Sequence, residues 1–221
     1  GQINIMIPHD FIETTPPKPG VSLWLTLNYS SNEFEVKKIN DQLEIGNFNK
    51  AKQCELRLAN GTLIGINKGE WGGKLFFRPT DSAEKEIEIT TGNVKFIFSF
   101  KNRIYFFEGL AHLGINRGAL YELKINNKDF QVKKILDFND APEAFAILGD
   151  TFLVATHENF FIVKDFRKEL IFKDAFWSSL YPNSIAAFDE KNVFIGIRGG
   201  IVKLDVSTKA LQFYMYNKPG L

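Results

Sequence analysis

Cysteine and histidine are scarce in this chain of 221 residues, and their scarcity argues against several classes of protein. Cys54 is the single cysteine, so no disulfide can form within the chain and packing alone must hold the fold. The three histidines, His9, His112 and His157, form no HExxH pattern and no other tight ligand spacing. The sequence therefore predicts neither a disulfide scaffold nor a metal site.

Long hydrophobic runs and charge of one sign are also missing. No run approaches about 18 apolar residues, so we expect no membrane span. The 27 basic and 26 acidic side chains give a net charge of +1, which indicates neither a nucleic-acid partner nor a polyanionic surface. No signal peptide opens the chain, but it begins with Gly1 instead of Met. The expected compartment is therefore either the cytoplasm or, after removal of a signal peptide, the exterior.

The common motifs of catalysis and cofactor binding are absent as well. The sequence has no GxSxG elbow, no P-loop, no GxGxxG followed by a helix and no EF-hand loop. Cys54 lies in a predicted strand, where a thiol is normally buried and inert. We therefore expect no cofactor, and the sequence favours a non-catalytic binding protein over an enzyme.

Strand-forming residues are abundant. Phe occurs 22 times and, with Ile, Val, Tyr and Thr, falls in short runs separated by Gly, Asn and Asp. Four turn dipeptides each separate two apolar runs: Asn60-Gly61, Lys101-Asn102, Gly149-Asp150 and Lys191-Asn192. A third strand follows each pair, at 74–78, 119–124, 160–164 and 201–206, and then a more polar fourth strand, at 84–89, 129–135, 168–172 and 209–216. The pattern predicts an all-β fold with little helix, the best short helical candidate being 175–180.

Four strands in every roughly 40 to 50 residues resemble the blades of bacterial β-propeller proteins, over nearly the whole chain. The resemblance is architectural, because the Trp-Asp and Gly-His pairs of WD40 repeats and the double glycine of kelch repeats are missing. It implies one domain, 1–221, with five blades of four antiparallel strands. Their approximate bounds are 1–45, 50–91, 92–140, 141–181 and 182–217. An alternative is a fragment of a larger propeller or of a multidomain chain.

The first blade is the least regular. Residues 20–28 and 32–40 supply its third and fourth strands, and residues 3–7 and 10–14 are left for its first two. Because a propeller must join its ends to protect its strand edges, we expect N-terminal residues in the sheet of the last blade or next to it.

The resemblance also implies where a ligand binds, since propellers commonly bind at the face that gathers the turns between second and third strands. Here those turns, 67–74, 108–118, 156–159 and 197–200, are rich in polar and special residues, whereas the opposite turns are plain. We expect one face around a central cavity to carry the ligand-binding residues Glu70, Trp71, His112, Arg117, His157, Glu158 and Arg198. A purely structural alternative is that the glycines only allow tight turns and that Trp71 caps the core.

Two functions follow from this face. The first is a binding or protein-interaction module that recognises a protein partner or a small polar ligand there. The alternative is a hydrolase or lyase in which four of the same residues act as metal ligands or proton-transfer groups. These four are Glu70, His112, His157 and Glu158.

Overall fold

A computed structural model describes residues 5–217 and contains strands almost throughout. In chain order, the first elements are β1 (Phe11–Thr14), α1 (Ser22–Asn28), β2 (Phe34–Ile39) and β3 (Gln42–Asn47). Next come β4 (Gln53–Leu58), β5 (Gly61–Asn67), the 3₁₀ helix η1 (Gly69–Trp71), β6 (Gly73–Pro79) and β7 (Ile87–Thr91). Then follow β8 (Val94–Phe100), β9 (Arg103–His112), β10 (Ile115–Asn126) and β11 (Asp129–Asp137). The last eight are β12 (Pro142–Leu148), β13 (Thr151–Thr156), β14 (Phe160–Lys164), β15 (Arg167–Phe172), β16 (Ser184–Asp189), β17 (Asn192–Ile197), β18 (Gly200–Asp205) and β19 (Ala210–Tyr216).

Consecutive strands form four antiparallel meanders, β4–β7, β8–β11, β12–β15 and β16–β19. β1 adds a fifth strand beside β19, and β2 and β3 form a separate two-stranded sheet. The expected turns explain the strand order: Lys101 and Asn102, for example, both have positive φ, the conformation of a two-residue hairpin turn that suits the twist of the strands it joins. The chain thus has the all-β fold of four-stranded antiparallel blades that was predicted. Within residues 5–217, no helix is both long and apolar enough to cross a membrane.

The chain forms two compact units. The middle unit is Lys50–Pro142, and the terminal unit combines the residues up to Asn49 with those from Glu143 onward. The middle unit packs around a core that includes Leu63, Leu75 and Phe106. The terminal unit has its own core, in which Trp177 and Phe213 are fully buried. The single-domain, five-blade division stays a prediction.

The N-terminal blade differs from the prediction. Ser22–Asn28 is an α-helix and not a strand, because Leu23, Trp24 and Leu27 pack together against the core of the terminal unit. The alternation of Leu23, Leu25 and Leu27 imitates a strand, but burial of one helical face decides the outcome. β2 lies where a strand was expected, and β3 was not predicted.

Other N-terminal expectations have mixed outcomes. Residues 5–7 are not in a strand, and residues 3 and 4 lie outside the described residues. β1 is a strand, as predicted, but it belongs to another sheet, since it pairs antiparallel with β19 in a register that places Phe11 opposite Tyr216. The expectation that N-terminal residues join the sheet of the last blade is therefore confirmed.

The helical candidate at 175–180 is wrong. This segment makes only isolated turns, with Ser178 N donating to Ala175 O and Leu180 N donating to Trp177 O. Ser179 has a φ of 61°, which no α-helix accommodates. The apolar residues of the segment are buried as a connection between β15 and β16.

Candidate functional site

The turn expected at 108–118 is an extended hairpin whose strands continue almost to its tip. β9 ends at His112 and β10 begins at Ile115, so only Leu113 and Gly114 form the turn, with φ of 44° and 83°. The register pairs His112 with Ile115. Since alternate residues of a strand share a face, Leu110 and Arg117, which also pair, lie on that same face of the hairpin.

A close contact joins this hairpin to η1. His112 Nε2 lies 2.6 Å from Glu70 Oε2. η1 is itself braced, because Trp71 N donates to Lys68 O and Lys68 N donates to Gly72 O. The contact therefore brings together two turns that are about 40 residues apart in sequence.

Large exposed apolar side chains belong to residues next to that contact in the chain or in the strand register. Trp71 is 81% exposed, Leu113 is 89% exposed and Ile115 is 51% exposed. They are the only exposed large hydrophobic residues of the middle unit, Lys50–Pro142, and all of them adjoin Glu70 or His112. We call Trp71, Leu113 and Ile115 the ridge. Trp71 does not cap the core, so the structural alternative is wrong for this residue.

Arg117 lies two residues from the ridge and is held by a buried carboxylate. Its Nη1 donates to both oxygens of Glu108, each at 2.7 Å. Asn93 N donates to Glu108 Oε1 at 3.1 Å, so two donors hold the carboxylate. Asn93 Oδ1 is buried beside them and has no hydrogen-bond partner among residues 5–217.

The other three predicted residues belong to the terminal unit. His157 Nδ1 lies 3.1 Å from Glu143 Oε1, and both side chains are largely buried. The second oxygen, Glu143 Oε2, is buried and has no hydrogen-bond partner within the described part of the chain. Such a carboxylate can orient an imidazole for proton transfer. Glu158 is exposed, and its carbonyl accepts from Ala175 N.

Arg198 connects distant segments of the terminal unit. Its Nη1 donates to Asn28 O at 2.7 Å, and Nη2 lies 3.4 Å from Glu33 Oε1. The guanidinium also lies over the ring of Tyr181, with Cζ 4.5 Å from the ring centroid. The centroid of the same ring lies 6.4 Å from that of the His157 ring, so both predicted residues have Tyr181 as a neighbour. These contacts favour a structural role for Arg198.

Comparisons with known proteins identify no family. No protein-family model matches the chain, and no curated protein matches it. Among solved structures, the luciferin-regenerating enzyme is similar at 12% identity and a TM-score of 0.48, covering 75% of this chain and 62% of that one. The extracellular domain of BT4673 from B. thetaiotaomicron has 16% identity and a TM-score of 0.45, covering 72% of this chain and 23% of that one. The N-terminal domain of Nup159 has 10% identity and a TM-score of 0.42, covering 91% and 67%.

The structure thus places six of the seven residues in two groups, and the seventh, Glu158, is exposed in the terminal unit. In the middle unit, Glu70, Trp71 and His112 lie together with Arg117 close by; in the terminal unit, His157 and Arg198 share contacts with Tyr181. That all of them face one cavity stays a prediction. Among residues 5–217, no group of three or more His, Cys, Asp and Glu side chains is placed to hold a metal ion.

Sequence reasoning missed Glu108, Leu113 and Glu143. A two-residue turn at Leu113-Gly114 would have predicted that Glu108 and Arg117 share a hairpin face, so the sequence contained a basis for predicting that pair. It contained no such basis for the contact of Glu143 with His157. These residues lie 14 positions apart, and the pairing of β12 with β13 brings them together.

Proposed function

We propose that this protein is a non-catalytic binding module that recognises a protein partner through the ridge. The observation that carries the proposal is the exposure of Trp71 and Leu113 at the tips of two neighbouring turns. Single exposed apolar residues are ordinary, but a Trp grouped with two aliphatic residues is typical of the centre of a protein interface.

The backbone at Leu113 supports the same conclusion. Leu113 has a positive φ, a conformation that costs an L-residue with a Cβ roughly 1–2 kcal/mol and suits Gly or Asn. Burial of the Leu113 side chain does not offset this strain, since the side chain is exposed to solvent. A side chain that weakens the folded state without packing is understandable if it binds a partner.

The ridge is also fixed in place before binding. The hydrogen bonds of η1, the paired strands of the hairpin and the Glu70–His112 contact hold the apolar tips in position. A fixed surface loses little conformational entropy on association, so more of its contact energy contributes to affinity.

Site-specific photo-cross-linking tests the proposal. In one variant, a photoreactive phenylalanine analogue replaces Trp71. In the control variant, the same analogue replaces Lys128, which is exposed in the turn between β10 and β11. In cells that make the protein, we expect a discrete adduct from position 71 and none from position 128. Purified partner should then bind wild type and not Trp71→Ala/Leu113→Asn. Equal binding to that double variant would contradict the proposal.

Acid–base catalysis in the terminal unit is the second candidate, and the buried contact between His157 and Glu143 favours it. In this function, Glu143 would orient the imidazole for proton transfer in a hydrolase or lyase reaction. A panel of chromogenic esters and amides tests it. Turnover by wild type that is lost in His157→Gln, with unfolding unchanged, would support catalysis; no turnover in either would contradict hydrolysis of these substrates.

A further inference from the structure

We infer that Arg117 selects the partner by binding a carboxylate, so that the ridge recognises a protein segment with an acidic residue beside apolar ones. This inference rests on the proposed function and adds the chemistry of the partner. Arg117 lies on the same strand face as Ile115, two residues along β10, and therefore within one side chain's reach of the ridge.

The guanidinium has donors left for a partner. Glu108 takes only Nη1, and the Arg117 side chain makes no other hydrogen bond among residues 5–217. Its side chain is 53% exposed, so the remaining N–H groups are in contact with solvent. A guanidinium carries five N–H donors in a planar fork, and the edge opposite an occupied nitrogen can bind a second carboxylate with two parallel hydrogen bonds.

Glu108 fixes the orientation of that fork. Its side chain is buried and also accepts from Asn93 N, so it offers Arg117 an anchored acceptor. Gly92, with a φ of 131°, lies directly against the Glu108 side chain. A Cβ at this position would lie 2.9 Å from Glu108 Cγ, which is too close for a larger residue. An arginine oriented before binding loses less rotamer entropy when a carboxylate arrives, which favours selectivity.

The same two strands provide a matched control. At the opposite end of the β9–β10 pair, Arg103 Nη1 lies 3.6 Å from Glu122 Oε1, again an exposed arginine on a buried carboxylate. None of the exposed large hydrophobic residues of the middle unit lies in that end of the hairpin. Arg103 therefore reports what a comparable arginine does without the ridge.

Other charges near the ridge must be kept constant. Glu70 contacts His112, and Lys68 and Lys74 flank η1. The Lys74 ammonium lies over the ring of Phe76, 4.9 Å from its centroid. All three are retained in every variant, so a change in selection is assigned to Arg117.

Selection from a displayed library of random dodecapeptides tests the inference with a defined probe. The full chain is used as wild type, Arg117→Lys, Glu108→Gln/Arg117→Gln, Arg103→Lys and Trp71→Ala/Leu113→Asn. Lysine at position 117 keeps a positive charge beside Glu108 but lacks the planar array of guanidinium N–H donors. The double glutamine variant removes the charges of both residues together. If Arg117→Lys unfolds more easily than wild type, the double glutamine variant carries the test.

We expect wild type and Arg103→Lys to enrich peptides with Asp or Glu close to aromatic or aliphatic residues. Both Arg117 variants should retain the apolar preference and lose the acidic one, and a selected peptide should bind Arg117→Lys about five- to tenfold more weakly. Apolar peptides without acidic enrichment, or acidic enrichment that survives both Arg117 variants, would overturn the inference and leave the proposed function standing. No enrichment above the Trp71→Ala/Leu113→Asn background would overturn both.

Discussion

Arg198 and Asn28 are 170 positions apart in the chain, yet Arg198 Nη1 donates a 2.7 Å hydrogen bond to the carbonyl oxygen of Asn28. This oxygen lies at the C-terminal end of α1, where helix carbonyls lack partners within the helix. The arginine therefore satisfies a helix end and ties α1 to the turn between β17 and β18.

Replacing Arg198 by Ala should lower the free energy of unfolding by about 2–3 kcal/mol, because Asn28 O loses its charged donor and Glu33 loses its cation. Urea denaturation measures the change. Arg167→Ala is the control, since Arg167 is exposed in β15, and it should change stability by under about 0.5 kcal/mol. Equal effects of the two substitutions would show that Arg198 is not structural.

Phe11 should carry much of the stability that β1 contributes. It is buried against Phe34 and Tyr216, with ring centroids at 4.9 and 5.4 Å, so Phe11→Ala removes a large core side chain and should cost about 3 kcal/mol. Ile12→Ala, on the exposed face of the same strand, should cost under about 1 kcal/mol. Thermal unfolding compares them, and deletion of residues 1–20 should lower Tm at least as much as Phe11→Ala.

Leu113→Asn should make the protein more stable by about 0.5–1 kcal/mol while it weakens partner binding. Asn adopts positive φ more readily than Leu, and the exposed Leu113 side chain loses little packing. Ile115→Thr is the matched control, because it also reduces the ridge but lies in an extended strand, and its stability should stay near that of wild type. If Leu113→Asn is destabilising, Leu113 packs against the protein in solution and the ridge is not free to bind.

Asp205 should titrate below its ordinary range because of the turn that it organises. A hydrogen bond from the Ser207 hydroxyl lowers the pKa of Asp205, helped by backbone N–H groups of Ser207 and Thr208. A lowered carboxyl pKa contributes stability above the pKa of the unfolded chain, about 3.9, and loses it as pH falls through the lowered value. NMR titration should show the Asp205 pKa rising in Ser207→Ala and unchanged in Ser99→Ala; an unchanged Asp205 pKa in both would contradict the turn's role.

Part of the candidate site could be predicted from the sequence. Glu70, Trp71 and His112 were expected from two turns rich in special residues, and the structure places them together. The terminal unit was less predictable. His157 and Arg198 were expected to serve a ligand, but their contacts with Glu143, Tyr181, Asn28 and Glu33 depend on segments up to 170 positions away.

The sequence by itself determined the order of the strands in the four meanders from β4 to β19, because alternating side chains and two-residue turns act between neighbours in the chain. Only the tertiary structure decided that Ser22–Asn28 is a helix, that β1 pairs with β19 and that Arg198 donates to Asn28 O. Each of these outcomes depends on the burial of one apolar face or on the desolvation of a charged side chain. Both require partners from distant parts of the chain.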